Sequence, residues 1–216
     1  KGADVNAKDD KFGFTPLDSA DNKETANLLR KNGGKTSREL KSATPPPPEA
    51  DKALLKAIRN GKIEMVKEAI ANGANVNTFN INIISPLHFA VSRSQKGSHN
   101  NIVELLISKG ADVNFMDMSG KYSRGFTPLI IAVRNNNVEG VRMLLANGAD
   151  INAKDGNTNG ESPLFYSLNS NNIEITKMLI DEGADFNMRN NKNLTPLDRV
   201  IGWNDDFSAK LLRKHG

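Results

Sequence analysis

Cysteine is absent from the chain, and tryptophan occurs once and tyrosine twice in 216 residues. Without cysteine there can be no disulfide and no thiolate metal site, and the composition fits a reducing compartment. A soluble, cytoplasmic protein is favoured, although a lack of cysteine is compatible with secretion too. No apolar run approaches the ~20 residues that a membrane-spanning helix needs. So few large aromatics argue against one thick compact core. A thin, quasi-linear core of Ala, Leu, Ile and Val needs fewer of them. The net charge is +4, and the Lys and Arg residues are interspersed with acids. That is unlike a nucleic-acid footprint, so no nucleic-acid partner is expected. The chain starts at Lys1, inside a motif, so the native N-terminus is expected to lie elsewhere.

Catalytic constellations are also missing. The three histidines are His88, His99 and His215. None shares an i, i+4 spacing with another, and none lies in H-E-x-x-H. No G-x-S-x-G, P-loop or G-x-G-x-x-G occurs. Asp9-Asp10 and Asp205-Asp206 lack the spacing of a calcium loop. The expectation is no enzyme, no metal and no cofactor. His99 falls in the insertion SRSQKGSHNN and is expected to be solvated.

What is present is repetition. The string GADVN at 2–6 returns as GANVN at 73–77, GADVN at 110–114, GADIN at 148–152 and GADFN at 183–187. Between these lie TPLD at 15, SPLH at 85, TPLI at 127, SPLF at 162 and TPLD at 195. The last three stand 21 residues before a repeat glycine at 148, 183 and 216. Each unit reads as two helices. Thr or Ser caps the first, and Pro follows at its first position, where a missing N–H costs nothing. One such helix is expected over 163–169. A polar turn, Ser170-Asn171-Asn172, leads to a second helix with an apolar stripe of Ile173, Ile175, Met178, Leu179 and Ile180. Gly183 then sits where a helix end wants positive φ. Two short helices cannot bury both faces alone, but stacked on neighbours they can.

The paired TPLx and GADxN strings resemble the ankyrin repeat. The resemblance runs from Gly2 to Lys41 and from about Asp51 to Gly216. It implies an all-α solenoid of stacked helix-turn-helix units joined by β-hairpin-like fingers. It also implies that His88, at the TPLH position, bonds backbone and links loops. The first unit has a polar second helix and resembles a C-terminal cap of a bacterial type. ATPPPPEA at 43–50 cannot continue a helix and favours a stiff spacer. The expected organisation is thus a capping repeat at 1–43, a proline-rich linker at 44–50, and a second array at 51–216. Within that array we expect a cap unit at 51–77, repeats at about 78–113, 114–151 and 152–186, and a terminal repeat at 187–216.

A scaffold without chemistry of its own is the function this implies, and solenoids commonly bind on their concave face. In the family, contacts come from finger tips and outward positions of the first helices. Carried over residue by residue, the first tip is Ile81, Asn82, Ile83 and Ile84. The finger after Gly110 is five residues longer than the regular twelve and carries Met118, Lys121, Tyr122, Arg124 and Phe126. The next is two longer, with Asn157, Thr158, Asn159 and Glu161. The helix positions are Arg59, Ser92, Arg93, Arg134, Asn135, Asn169 and Trp203. Two residues before the cap, other units carry Gly13, Gly125, Gly160 and Asn193, which tolerate positive φ; Ile83 does not. Ile81 and Ile84 are either an exposed anchor or packed on Tyr122 or Phe126. Arg59, Arg93 and Arg134 are either a basic ladder for an acidic partner or scattered charge. Trp203 is either a hot spot or a cover for the end of the stack. The partner is expected to be another protein with an acidic or apolar surface, bound by a monomer. The alternatives are a targeting module of a larger enzyme or secreted effector, and a head-to-tail self-associating array.

Overall fold

The computed structural model describes residues 4–7, 14–20, 22–36, 49–78, 84–93, 99–117, 125–156, 159–169, 172–203 and 205–215. They fall in two compact units, Lys1–Pro46 and Pro47–Gly216. All regular structure among them is helical.

Among the described residues the first unit holds one helix, α1 (Lys23–Lys31), capped by Asn22, whose side chain accepts the Thr25 N–H. Residues 16–19 form a turn, so the helix expected after Thr15-Pro16 is not built. Asp18 bonds the Thr15 backbone N–H and hydroxyl, each at 2.9 Å, and holds the turn closed. No residue of α1 is buried.

The second unit is a row of helix pairs. The first helices are α2 (Glu49–Arg59), α4 (Pro86–Arg93), α6 (Pro128–Arg134), α8 (Pro163–Asn169) and α10 (Pro196–Gly202). Their partners are α3 (Ile63–Ala71), α5 (Asn100–Ser108), α7 (Val138–Ala146), α9 (Ile173–Asp181) and α11 (Asp206–His215). First helices pack on first helices, and α3, α5, α7 and α9 form the second layer. Helix α2 begins at Glu49, because Glu49 and Asp51 suit a helix's first turn. Thr127 caps α6 by accepting the Ile130 N–H, and Thr195 and Asp198 form a capping box on α10.

The core is thin, as the composition implies. Leu87, Leu129 and Leu164 of the x-P-L motif, and Leu106, Leu144 and Leu179 of the second helices, are essentially inaccessible. Each stabilises the fold by about 1.5–3 kcal/mol through burial. In α9, Ile175, Leu179 and Ile180 face the core, whereas Ile173 at its start is 39% exposed. Ile201 is 49% exposed, although the matching Val91, Val133 and Leu168 are buried.

GADxN is explained atom by atom. Gly110, with φ +84°, ends α5 and lets Ala111 turn inward. The Asp112 carboxylate then accepts the Asn114 N–H at 2.9 Å, an Asx turn. The closing Asn clamps the next unit. Asn77 donates to the Gly110 carbonyl at 2.9 Å and accepts the Asp112 N–H at 2.8 Å. Asn114 does the same to Gly148 and Asp150, at 3.0 and 2.7 Å. Asn152 accepts the Asp185 N–H at 2.9 Å. In the cap unit, buried Asp51 substitutes and accepts the Asn75 N–H at 2.7 Å. Within the first unit Asn6 clamps the Gly33 carbonyl and the Lys35 N–H.

Backbone bonds close the bases of the fingers: Asp117 N–H to the Phe126 carbonyl, Asp155 to Glu161, Asn190 to Leu194. Adjacent fingers are tied by Gly156 N–H to the Gly125 carbonyl and Asn191 N–H to the Asn159 carbonyl. Before the caps, Gly125, Gly160 and Asn193 have φ of 66°, 57° and 60°, as their residue types imply. A Cβ on Gly125 would stand 2.5 Å from the Gly156 Cα, so this finger contact also needs the missing side chain. Ile83 and Gly13 lie outside the described residues.

Candidate functional site

The first helices and finger bases bring one set of side chains onto a common face. Arg59 closes α2, and its guanidinium carbon lies 5.9 Å from the Phe89 ring centroid. Arg93 reaches the same ring at 5.0 Å. Arg134 lies 4.5 Å over Phe126 and 5.7 Å from Tyr166. Arg199 lies 4.9 Å over Phe165 and 5.3 Å from Trp203. Rings under guanidinium groups hold them electrostatically and limit their motion. Arg59, Arg93 and Arg134 are exposed, and among the described residues no carboxylate stands within salt-bridge distance of them.

Arg199 differs. It is paired with Glu161, and both side chains are buried, 11% and 5% exposed. Its second arm donates to the Asn169 side-chain oxygen at 3.2 Å. Beneath, the buried Tyr166 hydroxyl donates to Asp155 at 2.5 Å. Burial, then that bond to Asp155 and the charges of Asp155 and Glu161, push the Tyr166 hydroxyl well above the usual tyrosine range, against the opposing pull of Arg134. Between the last two repeats these groups floor a cleft of about 540 Å³, rimmed by Asn159, Lys192, Leu194 and Trp203.

The two inner histidines are structural. His88 Nε2 donates to the Phe126 carbonyl at 2.8 Å, which leaves Nδ1 to accept the Ser85 hydroxyl at 2.8 Å. The bond crosses from one repeat to the next finger, as the resemblance implied. Burial holds the His88 pKa below its ordinary value, although the Phe126 carbonyl, Asp117 and Asp112 pull the other way. His99 is not solvated. It is 6% exposed, and its Nε2 donates to the Ile58 carbonyl at 2.9 Å. That carbonyl, in the last turn of α2, also accepts the Gly61 N–H at 3.0 Å.

Two finger residues also need correction. Phe126 is 3% exposed and is interior, edge-to-face with Tyr166 at 5.5 Å. Glu161 is buried against Arg199. Both stand immediately before a cap, in the base of the finger rather than its tip. Of the other expected residues, Arg59, Arg93, Arg134, Asn169 and Trp203 are exposed, and Ile84, Asn135 and Asn159 are half-buried. Asn135 donates to the Ser92 carbonyl at 3.3 Å. Asn159, Asn169 and Trp203 meet at the cleft. Ile81, Asn82, Met118, Tyr122, Arg124 and Asn157 lie outside the described residues. Arg199, Tyr166 and Lys192 were missed by sequence reasoning. Arg199 did carry a signal, because it precedes Trp203 by four residues and so shares a helix face with it. No group of His, Cys, Asp and Glu able to hold a metal occurs among the described residues. No helix among them is long and apolar enough to cross a membrane.

Capped helix pairs, clamped in series and presenting one face of anchored side chains, define a repeat solenoid. The chain belongs to the ankyrin repeat family. It matches ankyrin repeats in three copies over residues 19–117 and 54–155, and in many copies over 132–180. It is 36% identical over 94 residues to the human transient receptor potential cation channel subfamily A member 1, covering 43% of this chain and 8% of that protein. It is 31% identical over 174 residues to the ankyrin repeat and KH domain-containing protein mask-1 of Caenorhabditis elegans, covering 69% and 6%. It is 31% identical over 90 residues to the B-cell lymphoma 3 protein homolog of Mus musculus, covering 42% and 18%. The chain thus spans less than a fifth of the length of each of these relatives. Repeats of this family are in general protein-interaction modules.

Proposed function

We propose that the chain is a non-catalytic scaffold that binds an acidic segment of a partner protein along the face of its first helices. The observation that carries this is the set of Arg59, Arg93 and Arg134, exposed, seated on aromatic rings and with no carboxylate in salt-bridge range among the described residues, while Arg199 is paired with Glu161. Guanidinium groups already held in place lose less entropy on binding a carboxylate. An acidic partner would be steered to this face, with a rate that falls as salt rises.

Selection from a random peptide display library by the full chain tests this. Recovered peptides should be rich in Asp and Glu, and Arg93→Glu with Arg134→Glu should abolish recovery. Peptides with no acidic bias, recovered equally by the double variant, would sink the proposal.

A further inference from the structure

We infer that the cleft between the last two repeats is the anchor site of that acidic segment, and takes an apolar side chain whose neighbouring residue carries a carboxylate. The inference rests on the proposed function and adds where the partner is gripped and by what chemistry.

Trp203 is 53% exposed and Leu194 is 38% exposed, and both border the 540 Å³ cleft. Large apolar groups left open around one cavity mark a place that gains by being covered. Trp is the side chain most enriched where binding energy concentrates. Arg199, 5.3 Å from the Trp203 ring and itself lining the cleft, restrains that ring. That contact limits the motion of Trp203 in advance, which reduces the entropy lost on binding.

Accessible polarity then selects the neighbour. Glu161 lies in the cleft but is buried and neutralised by Arg199, so it presents no free negative charge. The Tyr166 hydroxyl is engaged by Asp155. Asn169 spends its side-chain oxygen on Arg199, which leaves its NH₂ donors. Lys192 is exposed, with no carboxylate in salt-bridge range among the described residues. What remains open is the Lys192 cation, the Asn169 donors and the Asn159 amide beside an apolar wall. That pairing fits a carboxylate flanking an aliphatic or aromatic side chain, and it disfavours a basic segment.

A direct reporter is built in, because Trp203 is the only tryptophan of the chain. The probes are fluorescein-labelled nonapeptides of alternating Glu and Ser, with Leu or Ser at the centre. Anisotropy reads binding and Trp203 emission reads the cleft. The expected result is that the Leu peptide binds ~10-fold more tightly than the Ser peptide and changes Trp203 emission, and that Lys192→Glu weakens it by ~10-fold. Arg93→Glu with Arg134→Glu provides the second arm. If both peptides bind alike, leave Trp203 emission unchanged and respond only to that arm, the cleft assignment is overturned and the acidic-segment reading stands. If neither peptide binds, both readings fall. Circular dichroism of each variant confirms that it is folded.

Discussion

Two side chains in the last repeats behave as a unit, and their removal should not be additive. Arg199 and Glu161 are both nearly inaccessible, so either alone is an uncompensated buried charge. Arg199→Met is expected to cost about 3–5 kcal/mol, and Arg199→Met with Glu161→Met to recover most of that. Urea denaturation of the single and double variants measures the difference. His88 makes the opposite use of burial. Its folded pKa lies below the ordinary 6.5, so the unfolded chain takes up the proton more readily. Its contribution to stability is fully present above 6.5 and is lost as pH falls from there towards the folded value. A urea series between pH 7.5 and 5 should show stability falling with acid in the native chain. In His88→Gln the slope should be smaller, because the titrating group is gone.

At the scale of the element, the clamp asparagine joins one unit to the next with two bonds to backbone. Asn114→Ala frees the Gly148 carbonyl and the Asp150 N–H together. A loss of about 1–2 kcal/mol is expected, since the site is exposed and water can replace the partners. Hydrogen exchange at the Asp150 amide should quicken first, before any change in α6 or α8. Such junctions were legible in the sequence as a recurring GADxN, and so were the caps, because both depend on residue identity at fixed offsets. The helix over 163–169 forms where it was expected, but without its side-chain cap, because the buried Ser162 hydroxyl has no hydrogen-bond partner among the described residues. What was not legible was set by tertiary contact. Phe126 looks like a finger residue in sequence, yet its carbonyl is held by His88 from the preceding repeat. His99 looks solvated because it follows a polar stretch, and only the fold brings it to Ile58. Arg199 pairs with Glu161 across 38 residues, a distance no local pattern reports. The missing first helix near Thr15 is the converse case: Thr15 and Asp18 make the same reciprocal bonds as Thr195 and Asp198, yet residues 16–19 stop at a turn, so the cap by itself does not build the helix.

Across the whole molecule, stability is the sum of units and of the interfaces between neighbours. Leu144 in α7 and Leu212 in α11 occupy matching places, both buried. Leu144→Ala should cost about 2–5 kcal/mol and broaden the unfolding transition, because it weakens interfaces on two sides. Leu212→Ala should cost less and leave the transition sharp, since its helix has neighbours on one side only among the described residues. Chemical denaturation followed by circular dichroism distinguishes them; equal costs would contradict nearest-neighbour coupling. The asparagine clamps carry this further. Each grips only a carbonyl and an amide of the unit beyond, groups that nearly every residue possesses. The joint is therefore blind to side-chain spelling. As far as this joint is concerned, a unit can be duplicated or dropped without a change next door, and only side-chain pairs that cross units, such as Arg199 with Glu161, tie one unit to a particular neighbour.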